Sequence, residues 1–278
     1  MADGSKIGIY GAIIANTLIA ISKFIASFFT GSSALLAEGI HSIIDTGNGL
    51  LLLLGIRRSR LPADKAHPFG YGKEIYFWSF IVSILIFALG GGFAIYEGIH
   101  AIGDPKAIEN PIWNYAVLFA AMLFEGTALY IALREFNKSH KSGGLLNNII
   151  KSKDPAKFAV IIEDTAAIIG LIIALLGVFL STTLHNPYLD GVASLLIGIL
   201  LLAVATFLAG ETKGLLLGES ANAETLEKIE EILKTNRNIK EYDYPKTMHF
   251  GPDSILIVIE VDVLDQLDLD EAESTIRE

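Results

Sequence analysis

The sequence predicts an all-α membrane bundle of six transmembrane helices, residues 1–210, followed by a small water-facing α+β domain, residues 211–278. Three observations predict it. Of 278 residues, 52% are hydrophobic, and they fall in blocks of about 20, the length a helix needs to cross a hydrocarbon core about 30 Å thick. Charge is segregated: from Glu211 onward there are seventeen acidic and seven basic residues, against fourteen of each before it, so the net charge of −10 belongs to the tail. In the tail the long apolar blocks give way to the shorter periods of helix and strand.

The six windows run roughly over 7–29, 34–56, 75–98, 112–133, 158–180 and 188–209. The first is too long for a cleaved signal peptide and lacks a basic stretch followed by a small-residue cleavage site, so it is expected to remain as a span. Arg57, Arg58, Arg60, Lys65 and Lys73 lie between the second and third windows, and Arg134, Lys138, Lys141, Lys151, Lys153 and Lys157 between the fourth and fifth. The other connections hold one cation, Lys106. Positive short loops stay cytoplasmic, which puts both termini inside; the even span count agrees. "ALGGGFAIYEG" in the third window suits close helix packing. In the tail, Asn222 caps a helix with Leu226, Ile229 and Leu233 on one stripe. "SILIVIEVDVL" (254–264) alternates as a strand, and "LDEAESTIRE" begins a second helix. One or two strands with a helix and a half are too little to bury a core, so the domain reads as truncated or as borrowing surface from a partner chain; the abrupt stop favours truncation.

There is no cysteine, which excludes disulfides, thiolate metal sites and thiol redox chemistry. Any metal here meets nitrogen and oxygen, and an imidazole donor points to zinc, manganese, iron, cobalt or nickel rather than a pure magnesium or calcium site. The second window carries such donors in "LLAEGIHSIIDTGNGLLLLLGI". His41 and Asp45 are one helical turn apart and point the same way, and Glu38 and Asn48 extend the stripe. Ionisable groups at mid-membrane cost at least about 2.5–3.5 kcal/mol, so they are expected to be paired, wet or bound to an ion. The alternative is a row of interhelical hydrogen bonds. Lys23 sits near the end of the first window, where snorkelling to the interface is the simple reading. Glu163 and Asp164 form a second acidic pair inside the fifth window, and adjacent carboxylates without a base repel each other unless a cation intervenes. Glu97, His100 and Glu125 lie near span ends and read as interfacial; Asp190 reads as an N-terminal helix acid.

These residues carry a resemblance. "AEGIHSIIDTGNG" in the second window, "HPFGYGKE" (67–74), "AKFAVIIEDTAA" in the fifth and "NPYLDGVASLLIGILLL" in the sixth resemble the cation diffusion facilitator family of zinc transporters, over nearly the whole chain. The "ED" pair of the fifth window resembles the sub-branch that contains the mitochondrial zinc transporter. Membership implies a homodimer that exports divalent metal from the cytoplasm in exchange for protons. It also implies a tetrahedral metal site between the second and fifth spans and a cytosolic ferredoxin-like domain. Alignment places Glu163 opposite His41 and Ala167 opposite Asp45, so the fourth ligand is absent from its usual place. The resemblance therefore implies His41, Asp45 and Glu163 as ligands, with Asp164 as a fourth ligand or proton acceptor and Glu38 and Asn48 behind them. It further implies a second metal position at Asp64 and His67, although Tyr71 stands where a histidine is common. Lys73 would join the spans to the tail through a salt bridge with Glu219 or Glu211, dimer contacts would involve the third and sixth spans, and His249 is a possible tail ligand or plain polar surface.

A metal binds deprotonated donors, so metal and proton compete for the same site, and alternating access by rocking helices suits such a site. No GxxxxGK[ST] loop is present, and no enzymatic activity or nucleic-acid partner is expected. The transported ion is expected to be Zn²⁺, with Mn²⁺, Fe²⁺ or Co²⁺ as alternatives; a membrane metal sensor or scaffold that moves nothing is the other class. The short N-terminus suits a prokaryotic plasma membrane.

Overall fold

The computed structural model describes residues 3–139, 155–252, 254–266 and 273–274, with side chains described from residue 16 and apart from 138–139 and 156–157. In the second basic loop Lys141, Lys151 and Lys153 lie outside the described residues, as do the side chains of Lys138 and Lys157 and most of the expected second tail helix.

Every apolar window falls on a helix. α1 runs over Asp3–Thr30, α2 over Ser33–Ser59, α3 over Glu74–Leu85, α4 over Gly92–Gly103, α5 over Ile112–Ser139, α6 over Pro155–Thr183 and α7 over Tyr188–Leu217. Among the described residues five rods are long and apolar enough to span a membrane, α3 and α4 counting as one rod of 30 residues. The described side chains of α1 add a shorter apolar stretch, Asn16–Thr30. The bundle is thus a multi-pass membrane protein. α1 and α2 form an antiparallel hairpin about Gly31, whose φ of 72° is the left-handed conformation glycine adopts without a Cβ clash.

The third window is not the single regular helix its length suggests. Ile86–Gly91 is a π-helical segment joining α3 to α4, and it coincides with consecutive glycines, which hold an α-helical turn weakly. Those glycines, with others further on, let two rods touch backbone to backbone. A Cβ on Gly98 would stand 2.6 Å from the Leu195 nitrogen and 3.0 Å from the Gly191 oxygen, and one on Gly198 would stand 2.7 Å from the Ile95 nitrogen. Ser194 donates its hydroxyl to the Ala94 carbonyl at 3.1 Å. The small residues of the third and sixth windows therefore close a contact between α4 and α7 within one chain.

In the tail, α8 (Ala223–Thr235) begins as expected, with Asn222 accepting from the Thr225 N–H at 2.9 Å. The strand expected over 254–264 is broken at residues 259–260 into β3 (Ser254–Val258) and β4 (Val261–Val263). They pair antiparallel with β2 (Lys246–Gly251) and β1 (Ile239–Tyr242) respectively. The Asp243 N–H donates to the Glu260 oxygen at 2.9 Å between the two ladders, so the four strands are halves of one bent hairpin. Pro245, lacking an N–H, marks the bend on the first arm.

The hairpin docks on the 61–73 loop. Gly72 lies against the backbone of Phe250 and Gly251, Phe69 packs on Phe250 at 5.0 Å between ring centroids, and the Lys73 ammonium stands 5.0 Å above the Phe250 ring and 3.9 Å from the Met248 sulfur. The neighbouring His249 N–H donates to the Glu219 oxygen at 3.1 Å. His249 itself is buried rather than on polar surface, with Nδ1 3.4 Å from the Gly251 oxygen.

Two substitutions and one control probe these contacts. Gly98→Ala should lower bundle stability by about 1–3 kcal/mol, as overpacking does. Gly210→Ala, with nothing within 4 Å of the added Cβ, should be neutral or slightly stabilising; thermal unfolding in detergent compares them. Gly72→Ala should release the hairpin from the loop, seen as faster proteolysis of residues 219–264.

Candidate metal-binding site between the helices

The α2 stripe faces inward as its spacing demands. Glu38, His41 and Asn48 are buried, and Asp45 is 17% exposed. His41 Nε2 lies 3.4 Å from Asp45 Oδ2, one turn apart on the same helix. The ring is not aligned for a hydrogen bond: both His41 nitrogens, Asp45 Oδ1 and both polar atoms of Asn48 are buried without a hydrogen-bond partner. α6 supplies Glu163, buried, whose Oε1 is also without one. Glu163 neighbours Asn48 without closing to a hydrogen bond, and its charge acts on Asp45. Asp164 is half-buried and acts on Asp45 and Glu163.

The structure thus brings His41 and Asp45 together and sets Glu163 and Asp164 beside them. It does not draw three of the four into one grip: among the described residues no three histidine, aspartate or glutamate side chains converge as ligands of one ion. The four side chains sit on two helices, His41 and Asp45 on α2 and Glu163 and Asp164 on α6.

Two groups expected at the membrane surface belong to this interior. Lys23 is fully buried rather than snorkelling, with its ammonium 3.1 Å from Glu38 Oε2 and 2.7 Å from Ser42 Oγ. Hairpin arithmetic carries the signal: Lys23 is eight residues before Gly31 and Glu38 seven after it, so an antiparallel pair of helices sets them level. Glu38 is therefore first the partner of Lys23 rather than a support for His41. Glu125, 7% exposed on α5, is not interfacial either; its charge acts on Glu38, Asp45 and Asp164. Its depth, near the middle of the fourth window, was the available sign.

Asp190 serves a helix other than its own. It accepts from Ser32 Oγ at 2.7 Å, Ser33 N at 2.5 Å, Ser33 Oγ at 2.9 Å and Ala34 N at 3.4 Å, closing the unpaired N–H groups at the start of α2.

Asp64 and His67 do meet in the 61–73 loop, at 3.6 Å. The Asp64 carboxylate is occupied, however, accepting from Tyr71 OH at 2.7 Å and from the Ala66 and His67 N–H groups at 2.9 and 2.7 Å. The residue in the place of a histidine is thus a donor that shapes the loop. The Tyr71 hydroxyl first, and then the His67 N–H, hold Asp64 below the usual carboxylate range.

Because that pKa lies below the unfolded value, the contribution of Asp64 to loop order is complete above about pH 3.9 and is lost as the pH falls through the folded-state pKa. Tyr71→Phe should move the Asp64 titration midpoint up toward the free value, read from the carboxyl carbon shift in labelled protein.

Comparison with known proteins follows the same residues. The cation efflux transmembrane domain matches residues 9–217. The proton-coupled zinc antiporter SLC30A9, mitochondrial, of Mus musculus is 34% identical over 253 residues, 90% of this chain and 45% of that protein. Metal tolerance protein C4 of Arabidopsis thaliana is 30% identical over 258 residues, 92% and 56%. The manganese efflux system protein MneP of Bacillus subtilis is 27% identical over 251 residues, 89% and 80%. The chain spans about half the length of the first two.

Proposed function

The chain belongs to the cation efflux family, and on that premise we propose that it is a six-span secondary transporter that exports divalent metal, Zn²⁺ foremost, in exchange for protons. One observation carries the reading: His41, Asp45 and Glu163 hold buried coordinating atoms without hydrogen-bond partners in helices set in lipid. Such atoms are costly unless something pairs with them, and a dication shared by α2 and α6 does so. The termini lie on the side of the Arg57–Lys73 loop.

In this reading His41 and Asp45 bind first, being already within one turn, and Glu163 joins as α6 closes. Asp164 either completes the set or takes a proton. Metal entry displaces protons from these donors and metal exit lets them return, so the flux of one drives the other. Lys73, on Phe250 and Met248, links the basic loop to the tail, with Glu219 beside the same strand as its ion-pair partner. A pair of chains forms the working unit.

A second reading rests on the donor set itself. One imidazole among several carboxylates suits harder ions better than a histidine-rich site does, so Mn²⁺ is the next cargo to test.

The test is metal uptake into sealed proteoliposomes with an imposed pH gradient. Asp45→Asn and His41→Ala should each reduce Zn²⁺ flux by more than the ~10–100-fold typical of groups behind the ligands. Collapsing the pH gradient should abolish uphill transport, and lowering the pH should weaken Zn²⁺ binding in calorimetry. Wild-type binding and flux in a His41→Ala, Asp45→Asn, Glu163→Gln triple variant would overturn the assignment.

A further inference from the structure

Away from the donors, a cavity of about 570 Å³ opens between the α1–α2 turn and the end of α4, at the end of the bundle opposite the 61–73 loop. Its walls differ in chemistry. The hairpin contributes Phe28 and Phe29, exposed rings on the last turn of α1, and Leu36 on α2. Exposed apolar surface on a spanning helix faces acyl chains, so the cavity is open sideways to the bilayer. α4 and the segment after it contribute Glu97, His100, Asp104 and Lys106. The Glu109 N–H donates to the Thr30 oxygen at 3.0 Å, which holds that segment to the end of α1.

The ionisable wall stands at a defined depth. The rod formed by α3 and α4 has 30 residues and is about 45 Å long, against a hydrocarbon core of about 30 Å. Centred in a bilayer, it extends about 7 Å into the headgroup layer at each end. Glu97, six residues before the end of α4 and so about 9 Å along the axis, lies at the hydrocarbon boundary. Asp104 and Lys106 lie above it, among headgroups.

The groups free to meet a ligand are on this wall. Asp190 lines the cavity as well, but its carboxylate already accepts from Ser32 and Ser33. His100 stacks its ring beside Tyr96. Glu97 has no ion pair among the described residues. Lys106 stands 3.9 Å from Asp104 with both side chains mostly exposed, a pair that contributes little by itself and exchanges readily for other partners. A cation beside a carboxylate is the reverse image of a zwitterion, and two carboxylates against one lysine disfavour an anionic headgroup.

The geometry points to a binding site for one phosphatidylethanolamine of the adjoining leaflet. An acyl chain lies along Phe28, Phe29 and Leu36, the phosphodiester meets Lys106, and the primary ammonium donates to Asp104 and Glu97. Such charge-assisted hydrogen bonds require N–H groups. A trimethylammonium head has none and is held instead by aromatic faces, which the ionisable wall lacks. The bound lipid bridges the α1–α2 hairpin and α4, and its site depends on the bilayer rather than on the cargo.

The test is native mass spectrometry of the full chain in detergent, counting bound dioleoyl lipids offered at equal concentration. Phosphatidylethanolamine should be retained about tenfold over phosphatidylcholine, the difference that one charge-assisted hydrogen bond carries, and over phosphatidylglycerol as well. Glu97→Gln with Asp104→Asn should lower phosphatidylethanolamine to the phosphatidylcholine level and leave phosphatidylcholine unchanged. Lys106→Gln should weaken both, since they share the phosphodiester. All three side chains are at least partly exposed, so the variants should keep the thermal unfolding midpoint of the unaltered chain in lipid-free detergent. Equal retention of the two zwitterionic lipids by the unaltered chain would overturn the site, whatever the variants do. A preference for phosphatidylglycerol, or a phosphatidylethanolamine preference that survives the double substitution, would overturn it too.

Discussion

An ionised side chain surrounded by hydrocarbon must find a counter-charge, and much of this bundle is arranged around that requirement. Asp45 on α2, Glu125 on α5, and Glu163 and Asp164 on α6 form a linked set of carboxyl groups, and Glu38 on α2 joins it through Glu125. Lys23 is the buried lysine that faces them. One fixed positive charge thus faces five ionisable carboxyl groups. A buried excess of carboxyl groups over fixed cations is stable only where protons or a bound cation offset it. A core with equal numbers of fixed charges would have no such appetite.

The scaffold divides the helices by how they touch. α4 and α7 meet through glycines whose backbones leave no space for a Cβ, a contact that resists sliding because packed backbones do not deform gradually. α2 and α6 meet through polar groups that are adjacent but not fully bonded. Between α4 and α7 even an added Cβ collides, whereas the α2–α6 contact leaves polar atoms still to be paired. The Asp190 carboxylate fastens the start of α2 to the start of α7.

The positions of the membrane helices were legible because hydrocarbon thickness imposes a length that composition displays. His41 and Asp45 were legible because one helical turn fixes their common face. What lies between helices was not. Lys23 near the end of an apolar window is equally compatible with reaching water or reaching Glu38, and only the turn at Gly31 decides. Glu125 and Asp190 act on other helices, α2 among them, through register that no single window contains. The same applies to the fit of Glu163 against Asn48. In the tail, alternation identified the apolar arm but not its break at residues 259–260, which follows from the bend imposed opposite Pro245. The π-helical turn at Ile86–Gly91 left only glycine as its sign, and glycine is common in membrane helices for other reasons.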